Sequence, residues 1–339
     1  MDKSPGHHVV GRFAPSPTGA LHTGSLVAAV GSYLMAKSAG GRWLLRLDDL
    51  DAQRQVPGMA DDIMRTLESF GLFWDGEVAR QSGHLEEYRR FFELLQQAGV
   101  VYPCGCSRKE IARSASAPHL EDDCMPYPGT CRKGMDGEVK GGVKGASVIR
   151  SWRVRVPEEE VCFEDLRKGR FCQKLPAVSG DFVIRRGDGE FAYQLAVVVD
   201  DFLTGVNQVV RGDDLLVSTP RQIYLQRLLG YPQPDYCHLP LVAGPAGSKL
   251  SKRDHLLSHQ LGNVAGREQA LLLAVLRFLG LNPPSEFAGY SCSAILEWGV
   301  AHFEPHHMPV QGGTVEIQGL RGSPSNRPGG RSRNFSSPT

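Results

Sequence analysis

The stretch GRFAPSPTGALHTGS, residues 11–25, leads into a clean apolar run, LVAAVGSYLM, and carries more special residues than a turn needs. Pro15 and Pro17 hold the chain extended, while Gly19 and Gly24 let backbone approach a ligand. A helix beginning near Ser25 aims its amino end at the same place, which makes a candidate phosphate site. His22, just ahead of that helix, can donate a hydrogen bond to a phosphate without closing the pocket. The glycine spacing fits neither a Walker loop nor a dinucleotide fingerprint. A second signal lies some two hundred residues on: GSKLSKRDH, residues 247–255, sets Lys249 and Lys252 on either side of Leu250 and Ser251 in a glycine-flanked loop, suited to following a moving polyphosphate. A third is CGC at 104–106 with Cys131 downstream, a pattern suggesting structural zinc, since zinc prefers soft thiolates and four ligands. By softness alone the fourth ligand is Cys124. Cys162, Cys172, Cys237 and Cys292 read as ordinary packing residues.

The elements that must position these groups follow from patterning. A strand, a glycine-rich turn, a helix over about Ser25 to Lys37 and a second strand at RWLLRLDDLD form one βαβ unit, which places ligand at the carboxyl ends of parallel strands. MADDIMRTLESFGL and HLEEYRRFFELLQQAG read as amphipathic helices, the second with Leu85, Tyr88, Phe92 and Leu95 on one face. From Cys104 to about Lys174 glycine, charge and cysteine dominate, as in an insertion. In GDFVIRRGDGEFAYQLAVVVDD, RGDGE reads as a turn between two apolar runs, with Tyr193 on a strand. STPRQIYLQRLLG and residues 264–280 and 292–303 read as helices. Beyond about Glu304 there is too little apolar surface to offset chain entropy, and disorder is expected.

The 339 residues are 41% hydrophobic with a formal net charge of +1, which excludes a wholly disordered chain and the charge signature of a nonspecific nucleic-acid binder. The amino terminus has no apolar signal core, and ALLLAVLRFLGL is short and interrupted by Arg277, so a cytoplasmic protein without membrane contact is expected; a monomer is expected as well. Eight cysteines, clustered between Cys104 and Cys131, suit reduced thiols rather than a secreted scaffold.

RFAPSPTGALHTGS and KLSKR resemble the two signatures of class I aminoacyl-tRNA synthetases, with wording close to the glutamyl branch. The resemblance continues through RLDDLD at 46–51, FAYQLAVVVDD at 191–201 and VVRGDDLL at 209–216, covering roughly residues 8–305. It implies an α/β, Rossmann-like catalytic domain with a zinc-binding insertion and a short C-terminal helical region. The expected layout is 8–103 and 179–260 as the catalytic halves, 104–178 as the insertion, 261–305 as helical and 306–339 as a disordered tail.

The resemblance also implies roles: His22 and Lys252 in catalysis, with Pro15, Ser16, Thr18, Gly19, His22, Gly24, Ser25, Lys249, Ser251 and Lys252 at ATP and its magnesium. Arg12, Phe13, Ala14, Pro15, Ser16, Asp48, Tyr193 and Arg211 match glutamate contacts, Asp48 standing where relatives usually carry a glutamate and Asp49 being the fallback. Arginines supply guanidinium forks for two carboxylates. The zinc set implied is Cys104, Cys106, Tyr127 and Cys131, with Tyr127 rather than Cys124. Fewer than ninety residues follow Lys252, too few for a large anticodon-binding part. That points to a truncated branch that attaches glutamate to the queuosine base in the anticodon of tRNA(Asp). Alternatives are a shortened enzyme charging a tRNA 3′ end, a related nucleotidyltransferase, or an inactive tRNA-binding paralogue. Arg321, Arg327, Arg331 and Arg333 in the tail suit phosphate contacts.

Overall fold

A computed structural model of the chain describes residues 8–107, 109–111, 126–134, 148–243 and 266–315. In chain order its strands are β1 (Val10–Phe13), β2 (Arg42–Leu47), β3 (Ala79–Arg80), β4 (Val101–Cys104), β5 (Ser151–Val154), β6 (Glu160–Asp165), β7 (Gly169–Lys174), β8 (Phe182–Arg186), β9 (Gln208–Gly212) and β10 (Asp235–Leu239). Its main helices are α1 (Thr23–Ser38), α2 (Met59–Ser69), α3 (Leu85–Gln97), α4 (Tyr193–Leu203), α5 (Thr219–Leu229), α6 (Glu268–Phe278) and α7 (Cys292–His302).

β1, β2 and β3 pair in parallel, and β9, β10 and β6 do the same, with β7 added antiparallel at the edge. The two sheets meet along β1 and β9: the Val10 amide donates to Asn207 Oδ1 at 2.8 Å, and the Asn207 amide donates to the Val10 carbonyl at 3.1 Å. Strand order therefore reverses between β1 and β9, where the crevice outside the carboxyl ends of doubly wound sheets takes ligands. Leu26, Val30, Leu34, Trp43, Leu45, Leu276 and Ile295 belong to one buried cluster, which α1, α2, α6 and α7 build on one face of the sheet. On the other face α3, α4 and α5 contribute Tyr88, Leu195 and Ile223 to a second. Trp43, Leu45 and Leu47 of β2 are wholly buried, so truncating one of these leucines to alanine is expected to cost about 2–5 kcal/mol.

Several expectations are corrected. Tyr193 opens helix α4 rather than lying on a strand, because a short apolar run suits a fully buried helix as well as a strand. Leu85 is exposed while Tyr88, Phe92 and Leu95 are buried. Within the interval 104–178, Val154, Val161, Phe163 and Leu175 pack in the same cluster as Tyr88 and Leu195, so that interval is not walled off from the rest of the described residues. Cys162 and Cys172 oppose each other across the β6–β7 ladder, 4.1 Å apart at Cα, and are joined as a disulfide rather than free. The tail expected to be disordered from residue 306 is packed through 315: Met308 is buried, Gly313 bridges Val242, and the Ala243 amide donates to the Gly313 carbonyl at 2.7 Å. A few well-placed backbone partners offset the entropy that composition alone assigned to this segment. The rest of the tail lies outside the described residues. Among the described residues no helix is long and apolar enough to cross a membrane.

Candidate active site

The loop after β1 leads directly into α1, with His22 as its N-cap. His22 Nδ1 accepts from the Ser25 amide at 3.2 Å, and an accepting Nδ1 in a neutral imidazole fixes the proton on Nε2. The ring is thus a donor beside the positive end of a sixteen-residue helix. Gly24 leaves room for the ring, since a Cβ there would stand 3.0 Å from the imidazole Cε1, a tight contact. The loop is fastened at two further points, the Asp48 amide donating to the Pro15 carbonyl and the Val56 amide to the Pro17 carbonyl, each at 3.0 Å. Ser16, Thr18 and Gly19 are exposed and Ala14, Pro15, Gly24 and Ser25 half-buried, whereas Phe13 is buried against Trp43, leaving only its backbone for a ligand.

Beside this loop lies a buried charge network. Arg12 Nε and Nη2 donate to Asp201 at 3.1 and 3.4 Å, so its guanidinium edge is already occupied by a carboxylate. Arg46 donates from Nε to Asp48 at 2.7 Å and from Nη1 to Asp201 at 2.6 Å. Asp200, wholly buried, accepts from Gln81 at 2.7 Å and Tyr88 at 2.5 Å and lies 2.8 Å from His84 Nδ1. Burial opposes ionisation of Asp201, yet Arg12 and Arg46 hold it below the usual carboxylate range. At Asp48 the balance reverses, and burial raises the carboxyl despite Arg46. The two guanidiniums thus face three carboxylates, Asp48, Asp200 and Asp201, with His84 also set against Asp200. Asp49 instead accepts from the Ser82 amide and hydroxyl, both at 2.8 Å, and is spent on holding that turn.

Arg211, at the carboxyl end of β9, differs in kind. It is 5% exposed and has no carboxylate within ion-pair distance among the described residues. Its Nη2 donates to Thr219 Oγ1 at 2.7 Å, and Nη1 lies 3.5 Å from the hydroxyl of partly exposed Tyr193. A buried guanidinium held only by neutral groups is a site prepared for an anion.

Cys104, Cys106 and Cys131 are buried with their sulfurs within 4.8 Å of one another. The Tyr127 hydroxyl sits among them, 3.3 Å from Cys104 and 3.7 Å from Cys106, and accepts from the Cys131 amide at 2.8 Å. Gly180, at φ +58°, lets backbone pass Tyr127, where a Cβ would fall 2.2 Å from its carbonyl oxygen. Three converging thiols fit zinc in donor type, and the Tyr127 oxygen among them brings the donors to four. Cys124, Lys249, Ser251 and Lys252 lie outside the described residues.

Asp165, Asp200, Asp201, Thr219 and His238 were not singled out from sequence. The available signal was the pair of acids ending the apolar run AVVVDD, since adjacent carboxylates on a buried helix demand partners.

The family model of tRNA synthetases class I (E and Q), catalytic domain, matches residues 8–289. A "Glutamyl-Q tRNA(Asp) synthetase" of Geobacter sulfurreducens is 57% identical over 311 residues, covering 91% of this chain and 96% of that protein. One of Dechloromonas aromatica is 51% identical, covering 89% of the chain and 96% of the relative. A glutamate tRNA ligase from Elizabethkingia meningosepticum, solved in complex with its amino acid, superposes with a TM-score of 0.75 at 26% identity, covering 92% of this chain and 68% of that one.

Proposed function

The chain belongs to the class I tRNA synthetases (E and Q), and on that premise we propose that it activates L-glutamate with ATP and passes it to the queuosine base at the wobble position of the tRNA(Asp) anticodon. The observation that carries the first half is Arg211, buried and without a carboxylate of its own, at the switch point of the sheet. It binds one glutamate carboxylate with Tyr193 alongside, while Asp48, whose Oδ1 is held by Arg46 at 2.7 Å, receives the ammonium. Arg12, already neutralised by Asp201, shapes the pocket floor with the backbone of residues 13–16.

The chemistry needs no covalent enzyme intermediate. A glutamate carboxylate oxygen attacks the α-phosphorus of ATP, pyrophosphate leaves, and a hydroxyl of the acceptor then attacks the activated carbonyl with loss of AMP. Positioning and charge stabilisation supply the acceleration. The Nε2 proton of His22 and the amino end of α1 face developing phosphate charge, and Lys252 follows the departing pyrophosphate. Magnesium accompanies ATP and lowers the charge repelling the incoming carboxylate. Cys104, Cys106, Cys131 and Tyr127 would hold a structural zinc that ties 104–131 together.

The acceptor half is supported by the relatives' names: the Geobacter and Dechloromonas proteins, 57% and 51% identical over about nine-tenths of this chain, are both called glutamyl-Q tRNA(Asp) synthetase. The cyclopentene diol of queuosine offers a hydroxyl of the same kind as a tRNA 3′ end. The test is pyrophosphate exchange with purified protein, ATP, magnesium and each amino acid, without tRNA. Glutamate should lead, and His22→Ala or Lys252→Ala should each lower its rate by ~100-fold, the scale of a lost transition-state contact. A preference for aspartate or glutamine, or full activity in both variants, would overturn the reading.

A further inference from the structure

Behind Arg211 runs a line of buried polar groups reaching back to the far edge of the sheet. Asp165 closes β6, and its Oδ1 accepts from the Arg167 and Lys168 amides at 3.1 and 2.9 Å, so the β6–β7 turn fixes the carboxylate. Its Oδ2 accepts from the His238 backbone amide at 3.1 Å and lies 2.6 Å from His238 Nδ1. Both side chains are wholly buried. An acceptor-only carboxylate places the ring proton on Nδ1. His238 Nε2, 2.9 Å from Thr219 Oγ1 and 3.4 Å from Arg211 Nε, then has a lone pair to offer. Thr219 donates its hydroxyl proton to that nitrogen and accepts from Arg211 Nη2 at 2.7 Å. The Thr219 hydroxyl has a second, longer acceptor in the Leu215 carbonyl at 3.4 Å, and the shorter 2.9 Å contact to His238 carries the line from Arg211 through Thr219 and neutral His238 to Asp165.

We infer that Asp165, His238 and Thr219 are positioning residues for glutamate binding, which orient the Arg211 guanidinium by locking His238 as its Nδ1–H tautomer. The inference rests on Arg211 as the glutamate clamp. The physical advantage lies in where the negative charge sits. A carboxylate touching Arg211 would orient it equally well but would compete with the substrate's carboxylate for the same fork. Here the anion is set behind a neutral imidazole and a hydroxyl, so the guanidinium is held while its charge stays available. Asp213, two residues along, is kept out of the competition by Lys168 at 2.6 Å and Arg167 at 3.7 Å.

The test compares Thr219→Val, Thr219→Ser, Asp165→Asn and Arg211→Lys in tRNA-independent pyrophosphate exchange, with thermal melting and the ring-nitrogen NMR signals of His238. Thr219→Val keeps shape but removes the hydroxyl and should raise the glutamate KM about 10-fold with kcat largely kept, one hydrogen bond to a charged group being lost. Thr219→Ser should restore it. Asp165→Asn should move His238 toward the Nε2–H tautomer and raise the KM in step, an effect that a merely structural role would not produce. If Arg211→Lys raises the KM while Thr219→Val leaves it at the wild-type value, the positioning role falls and the clamp stands. If Arg211→Lys also leaves the KM unchanged, the clamp falls with it. A wild-type His238 carrying its proton on Nε2 would overturn the inference directly.

Discussion

Replacing Arg211 by methionine separates stability from function. In the folded protein this guanidinium is 5% exposed and makes one short hydrogen bond, 2.7 Å to Thr219, with longer approaches of 3.4 Å to His238 and 3.5 Å to Tyr193. Losing the short bond, made by a charged group, costs about 1.5–3 kcal/mol. Against that stands relief from burying a cation that no carboxylate compensates, a penalty of several kcal/mol per ion. Thr219 and His238 keep each other as partners at 2.9 Å, so the substitution strands neither. The melting temperature should therefore stay level or rise. Glutamate binding should move the other way, because one or two charge-assisted contacts to its carboxylate are lost, about 2–4 kcal/mol or roughly 30- to 1,000-fold in kcat/KM. Pyrophosphate exchange at varied glutamate, with a melt of the same preparation, measures both. A variant that melts much earlier yet keeps its kcat/KM would refute the reasoning, since Arg211 would then be a structural strut.

Metal analysis should find about one zinc per chain, the stoichiometry of a single four-ligand site, and Cys106→Ser should release it and loosen the 104–131 region. Tyr127→Phe should lose the metal and Cys124→Ser should keep it; the reverse would transfer the fourth ligand to the cysteine. Burial holds His238 below the ordinary histidine range, Asp165 resists that shift and Arg211 reinforces it. The unfolded chain therefore takes up this proton near pH ~6.5 while the folded chain does not, so stability attributable to His238 is full above that pH and declines as pH falls through it. Urea midpoints at several pH values should fall less steeply across this window in His238→Gln than in the wild type, and parallel profiles would contradict the assignment. Ending the chain after Val315 should leave activation intact, whereas ending it after Met308 should destabilise the fold by removing the Gly313 bridge and the carbonyls of Pro309 and Val310 that Arg167 binds.

The parts of this molecule legible in sequence are those whose residues lie close together in the chain. The loop from Arg12 to Ser25, the helix it feeds and the three cysteines are local patterns, and the structure gathers each of them in one place, while Tyr127 beside the cysteines is reached only through the family resemblance. Arg211 and Tyr193 were readable as residues, but Tyr193 proved to begin a helix because its apolar run is buried on every side and carries no period. The Asp165–His238–Thr219 line spans β6, β10 and α5, with the first two 73 positions apart, and only parallel pairing of β6 with β10 brings them together. No local spacing encodes that. The packed segment through 315 escaped for a related reason: its partners, Leu241 to Ala243 and Arg167, are remote in sequence and mostly backbone.

The acceptor is the claim on which the functional account turns, and it can be read from where the glutamate ends up. The enzyme is incubated with ATP, labelled glutamate and tRNA(Asp) carrying queuosine, and the product is digested to nucleosides under mildly acidic conditions that preserve the ester. The label should appear on the queuosine nucleoside and should be absent when the tRNA lacks that base. Label recovered on the 3′-terminal adenosine, independent of queuosine, would contradict the account and make the chain a shortened enzyme of conventional charging.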